Sequence, residues 1–408
     1  MTEPVKPTGL LRTLSLTHAV LYGLGVTIGA GIYGLVGVAA GRGGMNAPVG
    51  FLVAALAMGF TAAAFAELGT RMPVSASEAA YVEAAFQRKQ LGLAVGLLVV
   101  VTATITAATI AAGSAGYIAV FIDLPDTWVI IGVVLAMGAV ASLGTAQSIA
   151  FAGVLTLVEI GGLLLIIGAG LTQESDVLTR LPEILPSVGD TSAWMAIGGT
   201  AVIAVFGFIG FEHLVNIAEE LKEPNRTLPR ALFLTLGITA VLYILVIWIA
   251  VVSVPPAELA ASAAPLATVF ERLTGFPMVI MSGIAVVATL NGIVVNMIMI
   301  ARVLFGLAAH GSLPRLFGRL SARTRTPLLA TAVGVGGILI LTLAVPLEGL
   351  ADIAARGTLL IFAIVNAALI RIKLKRQPTP AGVFNCPKWV AIIGLVSSVL
   401  LLALASIR

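Results

Sequence analysis

The chain has 408 residues, of which 59% are hydrophobic and only 10% are charged. Soluble domains carry roughly 25% charged residues, so this composition excludes an ordinary soluble protein and indicates one that crosses a membrane several times. The net charge of +4 does not indicate nucleic-acid binding, because the Lys and Arg residues lie in short segments between apolar runs, as membrane topology signals do.

About eleven transmembrane helices are predicted in an all-α membrane protein, because one span needs roughly 20 apolar residues. The first apolar run has no small-residue cleavage site after a short core, so it is expected to be a retained helix and not a signal peptide. The predicted helices cover residues 16–41, 47–70, 91–121, 127–144, 147–171, 194–218, 230–253, 277–308, 327–345, 350–372 and 388–406.

Glycines are predicted to interrupt the first helix near 29–32. Backbone groups that leave helical bonding in lipid need partners, so an interruption indicates a polar site inside the membrane. The amides where such a helix restarts are expected to bind a substrate carboxylate. The alternative is that the glycines only permit close helix packing. The predicted binding residues are Thr27, Ile28, Gly29, Ala30, Gly31 and Ile32.

Residues 29–34 also match the dinucleotide pattern G-x-G-x-x-G. We reject this match because it lies inside a membrane-length apolar run, with no acidic residue near position 54. The chain offers no nucleophile–base pair, metal-ligand cluster or phosphate loop. We therefore expect neither an enzyme nor a bound metal or cofactor.

Two acidic positions in the first half carry different predictions. Segment 77–88 is expected to be amphipathic, with Glu78, Glu83 and Arg88 in or near water. Glu159 lies midway along helix 147–171 with no other charge within twelve residues, and ionisable residues at membrane depth are costly unless they are paired or functional. It is predicted to carry a coupling proton. The alternative is a structural carboxyl that is hydrogen-bonded near residues 25–31.

A second glycine-containing interruption is predicted near 207–210, halfway along the chain. Its unwound carbonyl groups are natural acceptors for a substrate ammonium group. Glu212 and His213 follow directly and are predicted to act in coupling or gating, the alternatives being a bracing carboxyl and a packing histidine. The predicted binding residues are Phe206, Gly207, Phe208, Ile209 and Gly210.

The two interruptions open two sets of five helices, 16–171 and 194–373, and residues 387–406 form one additional C-terminal helix. Five is an odd number, so the second set enters the membrane from the opposite side and the two sets form an inverted repeat, an architecture typical of secondary transporters.

Charge bias predicts the orientation of the bundle. With the N-terminus in the cytoplasm, the C-terminus lies outside and most basic residues lie inside. The exceptions among the 23 Lys and Arg residues are Arg42, Arg180, Arg272, Arg356 and Arg408.

The eighth predicted helix, 277–308, argues against sodium coupling. Sodium needs several oxygen ligands, yet this helix contains only Ser282 and Thr289 as hydroxyl residues, with Asn291 and Asn296 as further oxygen donors. Proton coupling or exchange is therefore expected. The single cysteine, Cys386, excludes an internal disulfide and is expected to be unreactive.

Five segments carry a family likeness, and they are 27–33, 208–212, 218–230, 301–302 and 310–314. They resemble the motifs of the amino acid–polyamine–organocation (APC) superfamily, and of the bacterial relatives of cationic amino acid transporters within it. The resemblance implies a leucine-transporter (LeuT) type fold and amino acid transport. A lysine is frequent near Glu159 in sodium-independent members, so the glutamate departs from the family pattern.

The predicted function is secondary active transport of an amino acid across the cytoplasmic (inner) membrane. The predicted partners are the amino acid, protons and the lipid bilayer, without nucleic acid. A polyamine or amine transporter of the same fold and a non-transporting membrane sensor are the alternatives.

Overall fold

The computed structural model describes residues 14–74, 77–143, 148–173, 177–321, 324, 326–375 and 379–406, without the side chains of Ala30, residues 148–152 and Glu219. In the first half the helices are α1 (Leu16–Gly43), α2 (Ala47–Arg71), α3 (Ser77–Phe86), α4 (Lys89–Ile118), α5 (Asp126–Ser142) and α6 (Ser148–Gln173). In the second half they are α7 (Thr191–Phe208), α8 (Pro224–Ser253), α9 (Pro256–Ala261), α10 (Pro265–Thr274), α11 (Val279–Ala309), α12 (Leu328–Ala344), α13 (Leu347–Leu374) and α14 (Lys388–Ser406).

The all-α membrane class is confirmed. Within the described residues, eight apolar helical stretches are long enough to cross a membrane. Three shorter apolar helices accompany them, Leu16–Gly29, Asp126–Ser142 and Leu328–Ala344. The long helices overlap the predicted ranges, although the helix predicted over 194–218 ends at Phe208. The total of eleven spans and the repeat boundaries remain predictions.

Helix α1 lies at the centre of the bundle and packs against α6, α7, α8 and α11. Small residues along it permit this crowding, since glycine and alanine let helix backbones approach closely in a membrane. Several threonine hydroxyls in the apolar helices are satisfied within their own helix, as where Thr106 Oγ1 donates to the Thr102 carbonyl at 3.0 Å and Thr109 Oγ1 donates to the Ile105 carbonyl at 2.8 Å. The polar residues of these helices therefore need not disrupt them.

The predicted interruption of the first helix near 29–32 is absent, since α1 is one helix from Leu16 to Gly43. The glycines serve close packing instead. A Cβ atom at Gly29 would lie 2.5 Å from the Ala288 carbonyl oxygen of α11, and one at Gly31 would overlap the Gly207 backbone of α7. The packing alternative thus describes this segment in the conformation of the structure.

The second predicted interruption is present. Helix α7 ends at Phe208, and a 3₁₀ segment runs over Phe211–Glu220. Gly210 between them has φ +129°, a backbone conformation that side chains disfavour. A glycine is therefore required at this position, and the chain changes direction at the depth where α1 passes.

Leu14, just before α1, pairs with Leu221, just after the 3₁₀ segment, as two parallel residues. The Leu14 amide donates to the Glu220 carbonyl at 3.0 Å, and the Lys222 amide donates to the Leu14 carbonyl at 2.9 Å. These bonds tie the start of the first half to the connection between the 3₁₀ segment and α8 in the second half. They lie at one end of the bundle, which is called the N-terminal end below.

Candidate functional site

The two predicted binding segments lie against each other at the centre of the bundle, with Gly31 of α1 next to Gly207 of α7. Thr27, Ile28 and Phe208 are fully buried beside this contact. Phe208 also packs at 5.5 Å, centroid to centroid, against the ring of Tyr243 from α8. The contact between the two segments is named the glycine seam below.

The interruption beside the seam exposes main-chain polar groups to the interior. The last carbonyls of a helix have no intrahelical donor, and the negative end of the helix dipole lies with them. In the turn that follows, the Ile209 amide donates to the Phe206 carbonyl at 3.2 Å, and the His213 amide donates to the Gly210 carbonyl at 3.0 Å. The end of α7 therefore suits a cation.

Three buried tyrosines, none of them predicted as site residues, bond main-chain carbonyls around α1. Tyr243 Oη donates to the Thr27 carbonyl at 2.8 Å, Tyr33 Oη donates to the Glu159 carbonyl at 2.8 Å, and Tyr117 Oη donates to the Tyr33 carbonyl at 2.7 Å. A buried phenol normally needs such a partner. Their position inside apolar helices was the available sequence signal, although sequence alone cannot identify the acceptor.

Glu159 lies at the contact of α6 with α1 and α11 and is fully buried. Its Oε1 accepts a hydrogen bond from Asn291 Nδ2 at 2.9 Å, whereas Oε2 has no hydrogen-bond partner among the described residues. The expected contact with the backbone of residues 25–31 is thus replaced by a side-chain amide of α11. No salt bridge to Glu159 occurs within the described part of the chain, and an isolated buried carboxylate is costly to ionise.

The prediction that Glu78 lies in or near water is wrong, because its side chain is buried and only 3% exposed. Helix α3 folds back under the bundle and carries Glu78 into a small cavity with Glu212, His213 and Asn296. Burial raises the pKa of Glu78 from 4.5 to about 7. The hydrophobic residues around Glu78 in α3 were the available signal that this segment packs against the bundle.

The cavity lies beside the interrupted segment and is about 20 Å³ in volume, enough for one water molecule. Glu212 Oε2 accepts from the Gly210 amide at 2.8 Å, and Glu212 Oε1 lies 3.7 Å from His213 Nε2. Among the described atoms, His213 Nδ1 and Asn296 Oδ1 have no hydrogen-bond partner. The structure therefore brings Glu212 and His213 together with Glu78, but places Glu159 in a separate environment.

A larger cavity of about 370 Å³ opens at the end of the bundle opposite Leu14. Tyr33, Gly34 and Tyr117 line its inner wall, and Asp126 from the start of α5 lies at its exposed rim. The inner wall belongs to the same stretch of α1 as the glycine seam. This cavity therefore reaches α1 within about one turn of Gly31.

Ion pairs lie at both ends of the bundle. At the N-terminal end, Arg302 of α11 lies 3.7 Å from Glu220. At the opposite end, Arg42 of α1 contacts Glu348 at 2.8 Å and Asp352 at 3.4 Å, both from α13. The pairs of Arg42 join the first half to the second, whereas the pair of Arg302 with Glu220 lies within the second half.

Arg71 bonds Glu67 at 2.7 Å within α2. Glu67 also contacts Lys373 at 2.7 Å and accepts hydrogen bonds from the amide and thiol of Cys386. Burial raises the pKa of the Cys386 thiol to about 12, first because of desolvation and then because of Glu67. The expectation of an unreactive thiol remains a prediction.

Comparison with known proteins agrees with this architecture. The family described as amino acid permease matches residues 9–407. The chain is 27% identical to the branched-chain amino acid permease BcaP of Bacillus subtilis (strain 168), over 95% of this chain and 86% of that protein. It is also 27% identical to the vacuolar cationic amino acid transporter 2 of Arabidopsis thaliana, over 91% of this chain and 62% of that protein.

A crystal structure of a mutant manganese transporter from Eremococcus coleocola is similar in fold, with a TM-score of 0.62 and 13% sequence identity. The match covers 96% of this chain and 86% of that one. At this identity the likeness concerns the fold alone. It agrees with the predicted leucine-transporter type of helix bundle.

Proposed function

The chain belongs to the amino acid permease family, and we propose that it carries amino acids across the cytoplasmic (inner) membrane by alternating access. The observation that carries the proposal is the glycine seam. Two backbone segments meet at the centre of an apolar bundle, and one of them is interrupted there. Main-chain groups at such a depth can recognise the part that all α-amino acids share.

The carbonyl end of α7 holds the substrate ammonium group in this proposal. The amides of Gly29 to Ile32 hold the carboxylate, which requires α1 to open locally, because α1 is helical there in the structure. Gly31 has no side chain towards α7 and Gly29 has none towards α11, so α1 can move away from either helix without breaking side-chain contacts at those positions. Because the substrate binds only the locally opened form of α1, its binding would stabilise that form.

Alternating access is supported by the different state of the two ends. At the N-terminal end, the pairing of Leu14 with Leu221 and the ion pair of Arg302 with Glu220 close the bundle. The opposite end contains the 370 Å³ cavity. We assign the N-terminal end to the cytoplasm and the cavity to the exterior, with the C-terminus also outside.

Substitution at the seam tests the proposed site. In proteoliposomes, Gly31→Ala should abolish amino acid uptake, because the new methyl group overlaps the Gly207 backbone, whereas Gly237→Ala on α8 has no atom within 4 Å and should retain uptake. Both proteins must elute as single species in detergent. Full uptake by Gly31→Ala would place the site elsewhere.

Amine transport remains the second candidate, since the end of α7 needs only a cation. Competition of uptake by amino acids, by their methyl esters and by the decarboxylated amines separates the two functions. Weak competition by the esters and amines supports amino acid transport. Equal competition would support the amine function.

Proton coupling is assigned to Glu159 in this proposal. Its burial and the free Oε2 suit a carboxyl that holds a proton in the closed bundle and exchanges it when the contact of α6 with α1 and α11 opens. Glu159→Gln mimics the protonated form, so it should retain substrate exchange but lose stimulation by an inward proton gradient. Unchanged stimulation would shift the coupling role to Glu212 or His213.

A further inference from the structure

A groove on the outside of the bundle combines a basic end with an apolar end. It has a volume of about 580 Å³ and lies between the start of α8 and the segment before α14. Arg226 and Arg230 lie on its α8 wall, and Phe233 and Leu234 follow about one turn farther along the same face. The opposite wall consists of Gly382, Val383 and Phe384.

The arginines of this groove are available to a ligand. Arg226 is 77% exposed and has only a long contact of 3.8 Å with Glu223, which is itself 75% exposed. Arg230 is exposed and forms no salt bridge within the described part of the chain. The exposed and long contact of Arg226 with Glu223 contributes little to stability. Both positive charges can therefore bind an anion.

The apolar end of the groove is built for a hydrocarbon chain. Phe233 and Leu234 are 39% and 45% exposed, and the Phe233 ring lies 5.9 Å from the Phe384 ring, which closes the groove on that side. The helix runs from charged residues at its start to an apolar surface within about two turns. This order matches the boundary between the polar surface and the hydrocarbon core of a membrane.

We propose that this groove binds one anionic phospholipid, with the phosphate headgroup at Arg226 and Arg230 and an acyl chain along Phe233 and Phe384. Basic pockets between membrane helices have this selectivity because the anionic headgroup pairs with guanidinium groups while the chain remains in the apolar layer. The site is separate from the glycine seam and does not depend on which substrate is transported.

The test uses the full-length protein in neutral detergent. Phosphatidylglycerol or phosphatidylcholine is titrated in, and binding is measured by native mass spectrometry and by the rise in Tm. The wild-type protein should bind phosphatidylglycerol more tightly than phosphatidylcholine. The doubly substituted R226Q/R230Q protein should bind phosphatidylglycerol roughly thirtyfold more weakly, since each arginine near an anionic surface contributes about fivefold.

A charge-matched control separates a specific site from general attraction. R315Q/R319Q removes two exposed arginines outside the groove and should leave phosphatidylglycerol binding unchanged. Equal losses in both double variants, or equal binding of both lipids by the wild-type protein, would overturn the proposal. Stabilisation by inorganic phosphate alone, at the same concentration, would also overturn it by identifying a phosphate site without a lipid chain.

Discussion

The two glycine-containing segments give similar sequence patterns but different structures. In α1, glycines remain helical and let the helix pass directly over α7 and α11. At 209–210 the chain leaves helical geometry, and Gly210 adopts a positive φ of +129°. A glycine pair in a membrane helix therefore indicates that another backbone approaches closely. An interruption of the helix needs more, namely a residue with a positive φ, which glycine tolerates easily and other residues do not.

Of the substitutions that test this comparison, Gly210→Ala should have the largest effect on stability and uptake. The positive φ adds strain of roughly 1–3 kcal/mol, and the new Cβ would lie 2.9 Å from the Thr27 amide nitrogen. We expect a lower Tm in detergent and loss of uptake. Gly59→Ala in α2, with no atom within 4 Å, should be neutral or slightly stabilising. Similar Tm values for the two variants would show that the interruption does not depend on Gly210.

The second prediction concerns Glu78, which lines the small polar cavity beside the interrupted segment. Burial raises the pKa of Glu78 from 4.5 to about 7. Between these two pH values the folded state keeps a proton on Glu78 that the unfolded state has already released. Stability is therefore lost as the pH rises from about 4.5 through about 7. The loss is at most on the order of 3 kcal/mol. Tyr81, Glu212 and His213 are the titratable groups that face Glu78.

Glu78→Gln should remove this pH-dependent loss, so the variant should melt above the wild-type protein at pH 8 and close to it at pH 4.5. Thermal melting across this range measures the effect. Glu83→Gln on the exposed face of the same helix is the matched control and should follow the wild-type curve. A Glu78→Gln curve parallel to that of the wild-type protein would mean that Glu78 is hydrated.

Tyr243→Phe tests the continuous helix α1 and should have the smallest effect of the three. It removes the 2.8 Å hydrogen bond from Tyr243 Oη to the Thr27 carbonyl and should lower the unfolding free energy by about 1 kcal/mol. The ring contacts with Phe51 and Phe208 remain. Tm measurement suffices for stability, and substrate affinity reports whether this bond positions α1. No change in either would make the hydrogen bond dispensable.

Apolar run length predicted the helices well, because a membrane span needs a minimum number of apolar residues whatever its neighbours are. The second interruption was also predicted, from Gly207 and Gly210 inside an apolar run that leads directly to the polar residues Glu212 and His213. The shape of α1 was not, because whether a glycine opens a helix depends on the backbone opposite it. That information belongs to α7 and α11, which are distant in sequence.

The candidate site shows the same division. Glu159 and Glu212 stood out as isolated acids in apolar surroundings, and both are buried. Glu78 did not stand out, because its short helix carries a second acid, Glu83, and resembles a surface segment. Its burial results from tertiary contact with α4 and α13. Hydrogen-bond partners such as Asn291 also depend on helix rotation, which apolar composition leaves undetermined.

The pairing of Leu14 with Leu221 has a consequence for the order of folding. Its partners are separated by about half of the 408 residues, so the bond cannot form until the first six long helices have been synthesised. Contacts of such high sequence separation form late, because the intervening chain must first be ordered. The N-terminal end of the bundle therefore closes after the first half has been inserted, and a chain released before residue 221 has no way to make this closure.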